Sequence, residues 1–135
     1  MSGEMAVRGA VLTALRSDAV LMNLVNLVSD GEPLKASPPW LQLGEAVASG
    51  WGARGVSGLA LRLPIQLIVR GDDLARVTDV LARVDAVLAG IDGDLGGDAG
   101  DWRITSLRFE RSRILRGRTA WRASVDYAAR AARVN

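Results

Sequence analysis

The stretch LALRLPIQLIV, residues 59–69, puts Leu59, Leu61, Leu63, Ile65, Leu67 and Val69 at every second position, with Arg62, Pro64 and Gln66 between them. Successive side chains of a strand point to opposite sides of its sheet, so this spacing predicts a strand with one buried face and one polar face. A chain built on such a strand has to bring an apolar layer to one side of the sheet. Pro64 has no amide hydrogen to give a neighbour, which predicts a sheet edge or a bulge at that point. Residues 119–129 repeat the pattern, with Trp121, Ala123, Val125 and Tyr127 inward and Arg122, Ser124 and Asp126 outward.

The covering layer is legible in two helical spacings. Residues 4–16 place Val7, Val11, Ala14 and Leu15 on one stripe with Arg8 and Arg16 opposite, and a helix capped by Asp72 or Asp73 carries Leu74, Val77, Leu81, Val84 and Leu88 to a stop at Gly90. Ser17 and Asp18 can cap a second short helix that runs through Val25. The connector SDGEPLKASPP follows, then a short strand over residues 40–46. VASGWGARGVSG, residues 47–58, has four glycines and no period, and is expected to be a flexible arm. Beyond the loop at residues 92–101, strands at 102–115 and 119–129 are joined by the turn Arg116-Gly117-Arg118. The order α, α, β, β, α, β, β predicts one α+β domain over residues 1–135, with a mostly antiparallel or mixed four-stranded sheet and helices packed on one face. At 135 residues and 49% apolar content, the chain can bury a core of its own.

The chain has no cysteine and no histidine, so disulfides, thiolate chemistry and the commonest general base and metal ligand are all missing. No two carboxylates are placed by spacing to act as acid and base. No catalytic, cofactor-binding or metal-binding residue is nominated, and the expectation is a protein that is not an enzyme. The loop at 92–101 holds Asp92, Asp94, Asp98 and Asp101, but an EF-hand begun at Asp92 would need an acid where Arg103 stands. It reads as a solvated turn. The glycines around Arg54 run into a strand and lack the Gly-Lys-Ser/Thr of a phosphate loop, so no nucleotide site is expected there. No apolar run is long enough to cross a bilayer and the N-terminus lacks the features of an export signal, so assembly in the cytoplasm without a membrane partner is expected.

Charge divides the chain. Residues 102–135 carry nine Arg against Glu110 and Asp126, a net of +7, whereas residues 1–101 carry eight basic against thirteen acidic residues, a net of −5. Read as a regular strand from residue 102, Leu107, Phe109 and Leu115 share a face with Arg111 and Arg113, and Arg108 shares the other with Ile104 and Ile114. Neither face is apolar, and the segment after Phe109 is expected to leave its own core as a ribbon. Its arginines suit ion pairs with the acidic part of another subunit or contact with a nucleic acid backbone, and a solvated hairpin is the plain alternative. Trp51 is either a partner contact or a ring packed back on the sheet. The candidate interface residues are Trp51, Arg54, Arg108, Arg111, Arg113, Arg116 and Arg118.

The segments AVLTALRSDAVLMNLV, PPWLQLGEA (with Pro39, Trp40, Gly44 and Glu45), LRLPIQLIV, VLAGIDGDL and ITSLRFERSRILRGRTAWRASVDYAA, in this order and spacing, resemble the tail terminator or tail-completion family of long-tailed phages, prophages and gene transfer agents. The resemblance covers nearly the whole chain and contains no catalytic motif. It implies a ring of identical subunits, a hexamer, that caps the major tail tube protein, halts its polymerisation and joins the tail to a head-side connector or stopper protein. It further implies that DNA passes through the lumen without sequence-specific binding, and that the protein belongs to the particle at its head–tail junction. The turn Arg116-Gly117-Arg118 departs from the more acidic turn of the family, and Trp40 stands where Tyr is usual. A free-standing nucleic-acid-binding protein using the basic C-terminal hairpin is the alternative, although only Phe109 and Trp121 interleave with its arginines as stacking platforms.

Overall fold

The computed structural model describes residues 2–135. Helices α1 (Gly3–Ser17) and α2 (Ala19–Leu24) are followed by strands β1 (Leu27–Asp30), β2 (Trp40–Leu43), β3 (Val47–Ala53) and β4 (Val56–Arg70). Helix α3 (Leu74–Ala89) then leads to β5 (Arg103–Arg116) and β6 (Ala120–Val134). Each helix starts where a side chain satisfies its free amides. Ser2 accepts from the Met5 amide, Asp18 from Leu21 and Asp73 from Arg76. Gly90 closes α3 by donating to the carbonyls of Val87 and Leu88. On α3 the buried stripe is Val77, Val80, Val84 and Leu88, while Leu74 at the first turn stays exposed.

The sheet has six strands rather than the expected four, in the order β1-β2-β4-β6-β5 with β3 also on β4. Only the β1–β2 pair is parallel. Strand β6 lies along the whole of β4, from Val56↔Val134 to Arg70↔Ala120. The opposite edge of β4 is shared, with β2 beside residues 65–68 and β3 beside residues 56–62. The two missed strands gave no periodic signal. β1 is four residues long, and β3 is glycine-rich and mostly exposed, so no alternation of burial marks it. The expected flexible arm is therefore a β3–β4 hairpin, turned at Arg54-Gly55 with Gly55 at φ +81°.

Pro64 is not at a sheet edge, because it lies in β4 between two neighbours. It is opposite the break between β2 and β3, where the three residues Gly44, Glu45 and Ala46 span only Leu63 and Pro64 of β4, one residue more than the partner strand, as at a bulge. The Gly44 amide still donates to the Pro64 carbonyl at 2.8 Å. The return bond to the Gly44 carbonyl is impossible, since proline has no N–H. Arg8 of α1 replaces it: Nη1 donates to the Gly44 carbonyl at 2.7 Å and Nη2 to the Leu43 carbonyl at 3.1 Å, while Nε meets Asp30 Oδ1 at 2.7 Å. Arg8 is thus tied to the sheet rather than held opposite to it. Arg16 likewise donates to the Val28 carbonyl at 3.0 Å.

All three helices cover one face of the sheet. Leu63, Ile65 and Leu67 of β4 and Val125 and Tyr127 of β6 meet Val11, Leu15, Val77, Val80 and Val84 there. Each fully buried Leu contributes about 1.5–3 kcal/mol relative to exposure. A second cluster under the start of α1 joins Ala6, Val7, Leu61, Trp102, Ile104 and Ala131. Gly3 lets that helix start lie against the sheet, since a Cβ there would come within 2.7 Å of both Leu59 and Trp102.

Candidate protein interface

Two irregularities sort the arginines of β5. Its pairing with β6 slips between Ile104 and Ser106 and again between Phe109 and Arg111, leaving Thr105 and Glu110 as extra residues. A one-residue slip turns every later side chain to the other face. Leu107, Phe109 and Ile114 therefore share the helix side of the sheet, whereas Arg108, Arg111 and Arg113 share the open side. The expected grouping of Leu107 and Phe109 with Arg111 and Arg113 is thus overturned, as is that of Arg108 with Ile104 and Ile114. Nor does the hairpin project as a ribbon, because β6 stays bonded to β4 as far as Ala120. Instead β5 is the edge strand, and from Arg108 to Arg116 its residues are exposed.

The open face also carries Arg62, Arg122 and Arg130, contributed by β4 and β6, and these were not singled out from the sequence. With Arg70 and Arg103 at its ends, this face carries eight arginines, and two acids lie among the six between them. Glu110 Oε1 accepts from Arg62 Nε at 2.8 Å, and Asp126 Oδ2 accepts from Arg111 Nε at 2.7 Å. The Asp126 carboxylate raises the Arg111 pKa above the usual arginine value and keeps it charged. Arg108, Arg113 and Arg122 form no ion pair among the described residues. A shallow cavity of about 250 Å³ lies between Arg62, Arg108, Glu110 and Arg130, over a floor that includes Ala60 and Ala128.

The remaining candidates do not join one patch. Trp51 packs over Gly58 of its own hairpin, with the Arg130 guanidinium 5.4 Å from the ring centroid. It packs back on the sheet and leaves the ring half-buried. Arg54 is at the β3–β4 turn, at the opposite end of β4 from the β5–β6 turn that holds Arg118. Arg116 turns to the helix side, lies over Trp121 at 5.5 Å and donates to Asp72 Oδ1 at 2.7 Å.

Among the described residues no group of three or more Asp or Glu is placed to hold a metal ion, and no helix is long and apolar enough to cross a membrane. Asp92 and Asp94 accept hydrogen bonds from the Asp94 and Gly96 amides, which shapes the acidic loop into successive turns. Tyr127 donates to Asp85 Oδ1 at 3.0 Å, and burial together with that carboxylate raises its phenol pKa. What the surface offers is binding area: a basic sheet face, an exposed edge strand and an apolar groove beside α1.

The sequence matches the family model of the tail completion protein gp17 over residues 9–132. The chain belongs to the tail completion protein family. In shape, this tail completion protein is similar to a chain of the virion of a native gene transfer agent particle. The likeness has a TM-score of 0.81 and 25% identity, and covers 97% of this chain and 98% of that one. No curated protein matches its sequence. The family match takes in β1, β2, β3 and most of the basic face, so the surfaces described above belong to the family domain and not to an appended segment. Sequence reasoning reached the arginines of β5 but not those of β4 and β6. Their outward positions in the alternating strands were the available signal.

Proposed function

We propose that this tail completion protein forms a hexameric ring on the last ring of a tail tube in a gene-transfer-agent-like particle. The ring stops the polymerisation of the major tail tube protein and offers the joining surface to the head-side connector or stopper. The observation that carries the reading is the near full-length likeness to a chain of a gene transfer agent virion, by a member of the tail completion family. The division of charge supports it, because a ring of identical copies needs two different patches that fit each other. In this reading Trp51, Arg54, Arg108, Arg111, Arg113, Arg116 and Arg118 lie at or beside contacts with other protein chains. A lumen through which DNA slides cannot hold it tightly, so at most one or two arginines per subunit face the DNA path. The particle is assembled in the bacterial cytoplasm, with this ring at the head–tail junction.

The test is imaging of particles from cells that lack the protein. The reading expects DNA-filled heads without joined tails, or tails of uncontrolled length. Normal particles with tails of normal length would overturn it.

A further inference from the structure

Two of the exposed apolar surfaces of this chain lie at opposite ends of the sheet. At one end a groove of about 600 Å³ runs along α1, floored by Ala6, Gly9, Ala10, Ala14, Ile91 and Leu95 and rimmed by Asp92, Asp94 and Asp98. It sits over the second core cluster, beside the Arg103 end of β5. At the other end, the last residues of β5 before the β5–β6 turn include Ile114 and Leu115, exposed at 46% and 63%, next to Arg116 and the turn residue Arg118. From Ile104 to Leu115 the strand spans roughly 30–35 Å at about 3.3 Å per residue, so the turn cannot reach the groove of its own chain.

We infer that the groove between α1 and the 91–99 loop receives the β5–β6 turn of a second copy of this chain. This rests on the ring reading above and names the contact that would close it. The two surfaces match in chemistry. The apolar floor faces Leu115, which points to the open side of the sheet while Ile114 points to the helix side, and an acidic rim faces a turn whose Arg118 forms no ion pair among the described residues. Asp98 on the rim also forms no ion pair among the described residues, while Asp94 has only a 3.4 Å contact with Arg103. The lining side chains Met5, Gly9, Ala10, Thr13, Ala14 and Ser17 are small or unbranched, which leaves the groove open to a strand turn. Because the donor and acceptor surfaces differ and lie at opposite ends, the contact repeats from copy to copy and closes into a ring when the rotation permits.

The absence of cysteine gives a direct test. Particles are prepared from cells in which the Thr13→Cys/Leu115→Cys variant replaces the native chain, then oxidised and separated without reductant. The inference expects a ladder of cross-linked copies up to the ring number, and no product larger than a dimer from either single-cysteine variant. Tailed particles that contain the variant but show no ladder would overturn the groove contact and leave the ring reading standing. Normal tailed particles that contain no copy of this chain, native or variant, would overturn the ring reading itself. Should the double variant fail to assemble, charge exchange decides. Asp98→Arg and Arg118→Asp each lower the yield of joined particles at least tenfold, and the two together restore it; failure of the pair to restore it would overturn the inference.

Discussion

Asp18 holds Arg83 with both carboxylate oxygens, at 2.6 and 2.7 Å, while it caps α2 through the Leu21 amide. One side chain thus fixes the α1–α2 corner against α3. The hydrogen bond from Arg83 comes first and that from the Leu21 amide second in holding the Asp18 pKa at about 2, below its ordinary 3.8. A carboxylate with a depressed folded-state pKa contributes stability that is complete above its unfolded value and is lost as pH falls through the folded one. Thermal melts of the native chain and Asp18→Asn should therefore differ most above pH 4 and converge as pH falls towards 2. Curves that stay parallel over that window would show that this carboxylate does not couple to folding.

Arg8 stands in for the hydrogen that Pro64 lacks. Arg8→Met keeps much of the side-chain volume but leaves the Gly44 carbonyl without its donor, and should cost about 1–3 kcal/mol in denaturant melts. Pro64→Val supplies an N–H in place of the missing one, so the cost of Arg8→Met should shrink in that background. An equal cost in both backgrounds would separate the two residues.

Trp51 lies where a side chain on Gly58 would be. A Cβ at Gly58 would fall on the indole ring, so Gly58→Ala should destabilise by about 1–3 kcal/mol through overpacking. In a Trp51→Ala background the same change should cost under about 0.5 kcal/mol, as a double-mutant cycle would reveal. The hairpin should also resist proteolysis at Arg54 in the native chain.

The unpaired arginines of the open face separate protein contact from DNA contact. Charge reversal of Arg108 and Arg113 to Glu breaks no ion pair within the chain. The fold should therefore keep its melting temperature, while head–tail joining drops by at least tenfold in particle counts. Arg111→Glu should block joining as well, although it also sets a second acid against Asp126. The isolated native protein should bind duplex DNA no tighter than about 1 µM at physiological salt, the non-specific range. Tighter binding, with joining untouched by the reversals, would turn the face towards nucleic acid.

The strands that bury one side were legible because their period is set by that burial, as at Leu59–Val69 and Trp121–Tyr127. The stop at Gly90 was legible, and the N-caps were narrowed to Ser17 or Asp18 and to Asp72 or Asp73, because few residue types do that work; the structure uses Asp18 and Asp73. What escaped was what tertiary contact decides. β3 has no buried side chain to mark it, and β1 exists as a strand because β2 runs beside it. The bulges at Thr105 and Glu110 leave no compositional trace, and they alone decide which side of the sheet Arg111 and Arg113 occupy. For the candidate interface, residue types were therefore readable and their faces were not.

Beyond its first two residues, which pair with Gly93 and Asp94, β5 forms the free edge of the sheet, with a row of backbone groups open to another strand. Two copies meeting there in antiparallel fashion about Ser112 would set Arg111 of each against Arg113 of the other, and like charges directly opposite repel. A back-to-back dimer in that register about a two-fold axis is thereby disfavoured at this edge. The same arginines that give the open face its charge thus work against edge-to-edge pairing in that register.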